Sequence, residues 1–223
     1  MKLKLVFIGT CMLIITIVTV LSFSKDKYDQ TKNAVNVQNE SNVQVTPKSQ
    51  IKGEVEVYDF EDAVNISDLI AEIVINKKIK ELDEPSPKTL YEATIKKAYK
   101  DAEKHQDIRI LQQGNSQWLF NENKLFSEKE EYILFLKKAV GEEFEGTNTY
   151  WILGEETNMY SVIDTGKIKK HSFYEDDLMD IEDKNLTKIL KEKEKNNKDI
   201  QVLDKNKFEK KIIEIVDRQK KNK

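Results

Sequence analysis

The chain has 223 residues, 35% of them charged and 39% apolar, and 37 Lys/Arg against 40 Asp/Glu leave a net charge of −3. That balance supplies no bulk positive field, so no nucleic-acid partner is expected. The single cysteine, Cys11, lies in an apolar run, so the chain beyond that run has no disulfide, zinc–thiolate site or cysteine nucleophile.

Residues 5–23, LVFIGTCMLIITIVTVLSF, hold no charge, and 14 of the 19 are apolar. As a helix the run spans about 28 Å at ~1.5 Å per residue, close to the ~30 Å hydrocarbon core of a bilayer. Lys2 and Lys4 precede it, as in either a cleaved signal peptide or an uncleaved anchor. The run is longer than a cleaved apolar core usually is, which favours a single-pass anchor with the bulk of the chain outside the cytoplasm. Ser22-Phe23-Ser24 also offers small residues for a cut before Lys25, which would give a secreted protein, and Ile8-Gly9-Thr10-Cys11 loosely echoes a lipobox. Residues 24–65 begin with a stretch rich in Asn, Gln, Ser and Lys and are expected to form a disordered tether.

A β-rich domain is expected from residue 66 to 174. In Ser67–Leu82, Ala71, Ile73, Ile75 and Ile79 alternate with polar residues, and Pro85-Ser86-Pro87 marks a turn. Tyr91, Ala93, Ile95 and Tyr99 alternate next, then Ile108 and Ile110. Tyr132-Ile133-Leu134-Phe135-Leu136 is apolar at every position, the mark of a central strand covered on both faces. Residues 149–153 and 159–164 read as strands, and Thr165-Gly166 turns the second back to Ile168 as a hairpin. Six or seven mostly antiparallel strands suit a small barrel. Residues 175–223 read as a charged helical tail, with Asp204 as a cap and Phe208, Ile212, Ile215 and Val216 as an apolar stripe. One of its stripes, Leu186/Ile189/Leu190 or Phe208/Ile212/Val216, is the available cover for the central strand. The fold class expected is therefore mainly β with α appendages.

The order from Leu69 to about Lys170, with IKKAYKD at 95–101, IRILQQGN at 108–115, LFSEKEEYILFLKK at 125–138 and the Tyr150-Trp151 pair, resembles a domain of uncharacterised exported proteins of Gram-positive bacteria. It is also similar to the OB-type barrel of netrin-like and metalloprotease-inhibitor modules, without their disulfides. The resemblance covers just under half of the chain and implies a fold, an OB-like β-barrel. It carries no catalytic residue over.

Little catalytic chemistry is legible. His105 and His171 read as surface residues, so Asp at 171 is expected to be tolerated, and no metal-ligand spacing or phosphate loop occurs. The acidic run Glu175, Asp176, Asp177, Asp180, Glu182 and Asp183 is read as a helix start rather than a loose Ca²⁺ site. Trp118, Tyr150, Trp151 and Tyr160 form the candidate ligand face, by analogy with the aromatic platforms of OB folds. The function expected is a membrane-anchored extracytoplasmic binding protein, not an enzyme, with no cofactor or metal and with an unknown protein or envelope polymer as partner. The alternative is an envelope enzyme, or its accessory module, recognising a cell-wall polymer.

Overall fold

The computed structural model describes residues 49–101, 107–121, 123–194 and 199–221, all within one compact unit spanning 44–223. The expected anchor at 5–23, the tether up to residue 48 and His105 lie outside the described residues. Among the described residues no helix is long and apolar enough to cross a membrane.

In chain order the elements are β1 (Ser49–Ile51), α1 (Phe60–Ile66), β2 (Leu69–Leu82), β3 (Lys88–Lys100), β4 (Asp107–Gln113), β5 (Trp118–Phe120) and β6 (Glu131–Lys138). After these come β7 (Thr149–Ile152), β8 (Met159–Asp164), β9 (Lys167–Lys170), α2 (Lys184–Lys193), β10 (Gln201–Asp204) and α3 (Lys205–Lys221). Five strands close a barrel in the order β2-β3-β4-β7-β6, with β6 returning to β2. Contacts within it are antiparallel except β4–β7, which is parallel, so the barrel is mostly antiparallel with one parallel seam. From β6 the sheet continues outward through β8, β9 and β10.

The alternation of side chains along a strand explains why β6 is apolar throughout. Tyr132, Leu134 and Leu136 point into the barrel with Ala71, Ile73, Ile110 and other buried residues. Ile133 and Phe135 point the other way, into a second core roofed by α1 and α3. There Phe208 lies 5.3 Å from Phe60 and 4.5 Å from Tyr160, centroid to centroid. The stripe of α3 is thus the cover for β6, whereas Ile189 of α2 is 45% exposed.

Two expected boundaries move. The tether does not extend to residue 65: β1 pairs with β5, and α1 buries Phe60, Ala63 and Val64. At seven residues α1 is too short to show helical periodicity. Nor are residues 175–223 an appendage, because β10 is a strand of the main sheet and α3 roofs its second core. Ion pairs tie this end down, with Lys205 2.8 Å from the buried Glu72 and Lys97 2.6 Å from Glu209. Burial pushes the Glu72 carboxyl up, but Lys205 and Lys96 hold it below the usual carboxylate range. The expected cap is present: Asp204 accepts the Lys207 N–H at 3.1 Å.

Candidate functional site

The β2–β3 turn, which carries a cis Glu84–Pro85 peptide, and the β6–β7 connection at residues 139–148 flank a cleft of about 620 Å³ on the outside of the barrel. Its wall is a consequence of strand alternation. Tyr150 turns into the barrel, so its neighbour Trp151 turns out. Trp151 packs there against a small outer cluster formed by Leu90, Leu111 and Ala139, with Leu82 and Phe144 beside it.

Three cations line the same space: Lys80 on β2, Lys88 on β3 and Arg109 on β4. Lys88, the first residue of β3, is 5% exposed, and its amine lies 5.3 Å from the centre of the Trp151 ring, within cation–π range. Burial lowers the Lys88 pKa, and Glu143 and Glu84 draw it partly back. Arg109 reaches the cleft from β4. Apolar groups form the rim, including Val140, 84% exposed, and Ile79, 38% exposed. Gly141, at φ 132°, turns the connecting loop; a Cβ there would lie 2.7 Å from the Glu143 carboxylate. The arrangement can hold an anionic group beside an aromatic ring and cover an apolar one.

The candidate face does not assemble as expected. Only Trp151 lines the cleft. Tyr150 is 8% exposed in the barrel core, with the Lys138 amine 4.7 Å from its ring centre. Tyr160 is fully buried in the second core and cannot meet a ligand. Trp118 is half-exposed on β5, in the separate two-stranded sheet with β1. Lys88, Arg109, Val140 and Phe144 were not legible as a site. The available signal was the placement of Lys88 just after a Pro-rich turn and of an apolar Ala139-Val140 pair at a loop.

Two shifted groups stand apart from the cleft. Glu155, at the start of a buried polar turn after β7, accepts the Gln113 N–H at 3.4 Å. Burial pushes its carboxyl up to about 8, that backbone bond lowering it and Glu156 raising it. His171 is not the surface residue expected. Its ring lies 6.2 Å from that of Tyr132, and burial drives its pKa down to about 4, so Asp at 171 is no longer expected to be harmless. In the acidic run, Leu178 and Ile181 are buried, and Asp183 caps α2 by accepting the Leu186 N–H at 3.1 Å. Among the described residues no group of three or more His, Cys, Asp or Glu is placed to hold a metal ion. No protein-family model matches the chain, and no curated protein matches it.

Proposed function

We propose that this chain is a non-enzymatic binding protein whose barrel is of the OB type and whose ligand enters the cleft at Lys88 and Trp151. Numbered within the barrel, the strand order is 1-2-3-5-4 with a parallel 3–5 seam, which supports the OB reading. OB folds engage ligands on the face of strands 2 and 3, between the 1–2 and 4–5 loops. Here those parts are β3, β4, the β2–β3 turn and the β6–β7 connection, the same elements that line the cleft. This coincidence is the observation that carries the proposal. The most strongly shifted carboxyl and imidazole, Glu155 and His171, do not line this cleft; His171 lines a separate one of about 720 Å³ with Glu130 and Tyr132.

The uncharged run at 5–23 supports attachment to a cell membrane as a single-pass protein, with the barrel on the outer side. A cut before Lys25 would release it instead. An envelope protein or polymer is then the partner within reach. Binding of the full-length protein, held in a lipid nanodisc, to arrays of peptides and envelope glycans tests the reading. Trp151→Ala should abolish whatever binding the parent shows, and Trp118→Ala should leave it intact. The opposite pattern would remove the cleft as the site.

A further inference from the structure

The charges in the cleft bear on what it binds. On the barrel strands, Lys77 pairs with Glu92 at 3.5 Å, Lys96 with Glu131 at 2.7 Å and Lys137 with Asp68 at 2.7 Å. Among the described residues Lys88 and Arg109 have no such partner: no carboxylate lies within 4.0 Å of either cationic group. Glu92 stands opposite Arg109 in the β3–β4 register, but its carboxylate is engaged by Lys77. A buried cation without a paired anion is costly, and a carboxylate arriving beside it gains a charge-assisted hydrogen bond.

The rim limits how many anions can enter. Glu84 and Glu143, one from each flanking loop, line the cleft and act on the Lys88 amine through space. With Lys80 also in the lining, three cations stand against these two carboxylates, a net of one positive charge, so a polyanion is disfavoured and one anion is admitted. Around that point the walls are apolar: Ile79, Leu82, Val140, Phe144 and the Trp151 ring. A volume of about 620 Å³ lies within the ~300–1,000 Å³ of small-molecule sites.

We propose that the cleft binds a monoanion with an apolar body, its carboxylate held by Lys88 and Arg109 and its body against Val140, Phe144 and Ile79. This rests on the reading of the cleft as the ligand site and names the ligand's chemistry. A free carboxylic acid and the C-terminus of a peptide ending in an apolar residue both carry that chemistry.

The test uses the full-length protein in nanodiscs with Trp118→Phe, which leaves Trp151 as the reporter fluorophore. The probes are N-acetyl-leucine, its methyl ester, and a hexapeptide ending in leucine with either a free or an amidated terminus. N-acetyl-leucine should change Trp151 fluorescence saturably, and the ester should bind at least about tenfold more weakly, having lost the charge-assisted contact. Lys88→Met should shrink that preference for the acid, Arg109 remaining, while leaving ester binding unchanged; a melting temperature at or above the parent's shows that this variant is folded. Tighter binding of the free-terminus hexapeptide than of N-acetyl-leucine would identify a peptide end as the source, and the reverse a free acid. Equal binding of acid and ester would overturn the anion assignment while leaving the cleft as a site. Tighter binding of polyglutamate than of N-acetyl-leucine, lost in Lys88→Met, would overturn the limit to one anion. No fluorescence response to any probe would overturn the ligand proposal, leaving the peptide and glycan arrays to decide the cleft itself.

Discussion

Glu155 is 7% exposed and shares its turn with Glu156, itself only 8% exposed. With its folded pKa raised to about 8 from 4.5, it keeps its proton at neutral pH when folded and loses it when unfolded. The sign is set by linkage: below the unfolded pKa both states are protonated and the group contributes no penalty. As pH rises from about 4.5 toward 8, unfolding releases a proton and stability falls. Glu155→Gln keeps an oxygen for the Gln113 N–H and removes the titration. It should stabilise the protein by on the order of 2–3 kcal/mol at pH 7 and by about nothing at pH 4. Chemical denaturation of parent and variant at the two pH values measures this. Equal differences at both would show that Glu155 is ionised in the fold.

At the scale of elements, β6 is the strand on which both cores meet, and Leu134 is fully buried in the barrel interior. Leu134→Asp would bury an unpaired carboxylate or force it neutral, at several kcal/mol. A domain of this size has about 5–15 kcal/mol in all, so the variant should be largely unfolded, whereas Ile163→Asp, at a position 44% exposed, should melt close to the parent. Circular dichroism melts separate the two, and parent-like melting of Leu134→Asp would remove β6 from the core. β6 was legible because five consecutive apolar residues admit few other readings, and the β8–β9 hairpin because Thr165-Gly166 punctuates it. Elsewhere local pattern and tertiary placement diverge. Tyr99 continues the alternation of Tyr91 and Ala93, yet it lies in the second core rather than in the barrel. Register shifts between Ile70 and Ala71 and between Glu72 and Ile73 offset the β2–β3 pairing there, and a bulge of this kind turns later residues to the other face. β1 and β5 have only three residues each, too few for a period. The cleft was hidden for a different reason: its cations come from three strands and part of its rim from two loops, brought together only by barrel closure.

At the scale of the molecule, residues 175–223 are structure the barrel depends on. Without Phe208, Ile212, Ile215 and Val216, the faces of Ile133, Phe135 and Tyr160 would meet water. Glu72 binds the two parts electrostatically, its carboxylate lying 2.8 Å from Lys205 on α3 and 3.4 Å from Lys96 on β3. The barrel, its flanking strands and its helical roof are therefore expected to open together, with the cleft loops as the surface left for a ligand. Hydrogen exchange of the full-length protein, measured by mass spectrometry across a denaturant series with and without N-acetyl-leucine, tests both halves of that statement at once. The account predicts that amides of β6 and α3 share one opening free energy and that ligand protection concentrates at residues 83–88 and 139–151. Earlier opening of α3 than of β6, or protection centred elsewhere, would contradict it.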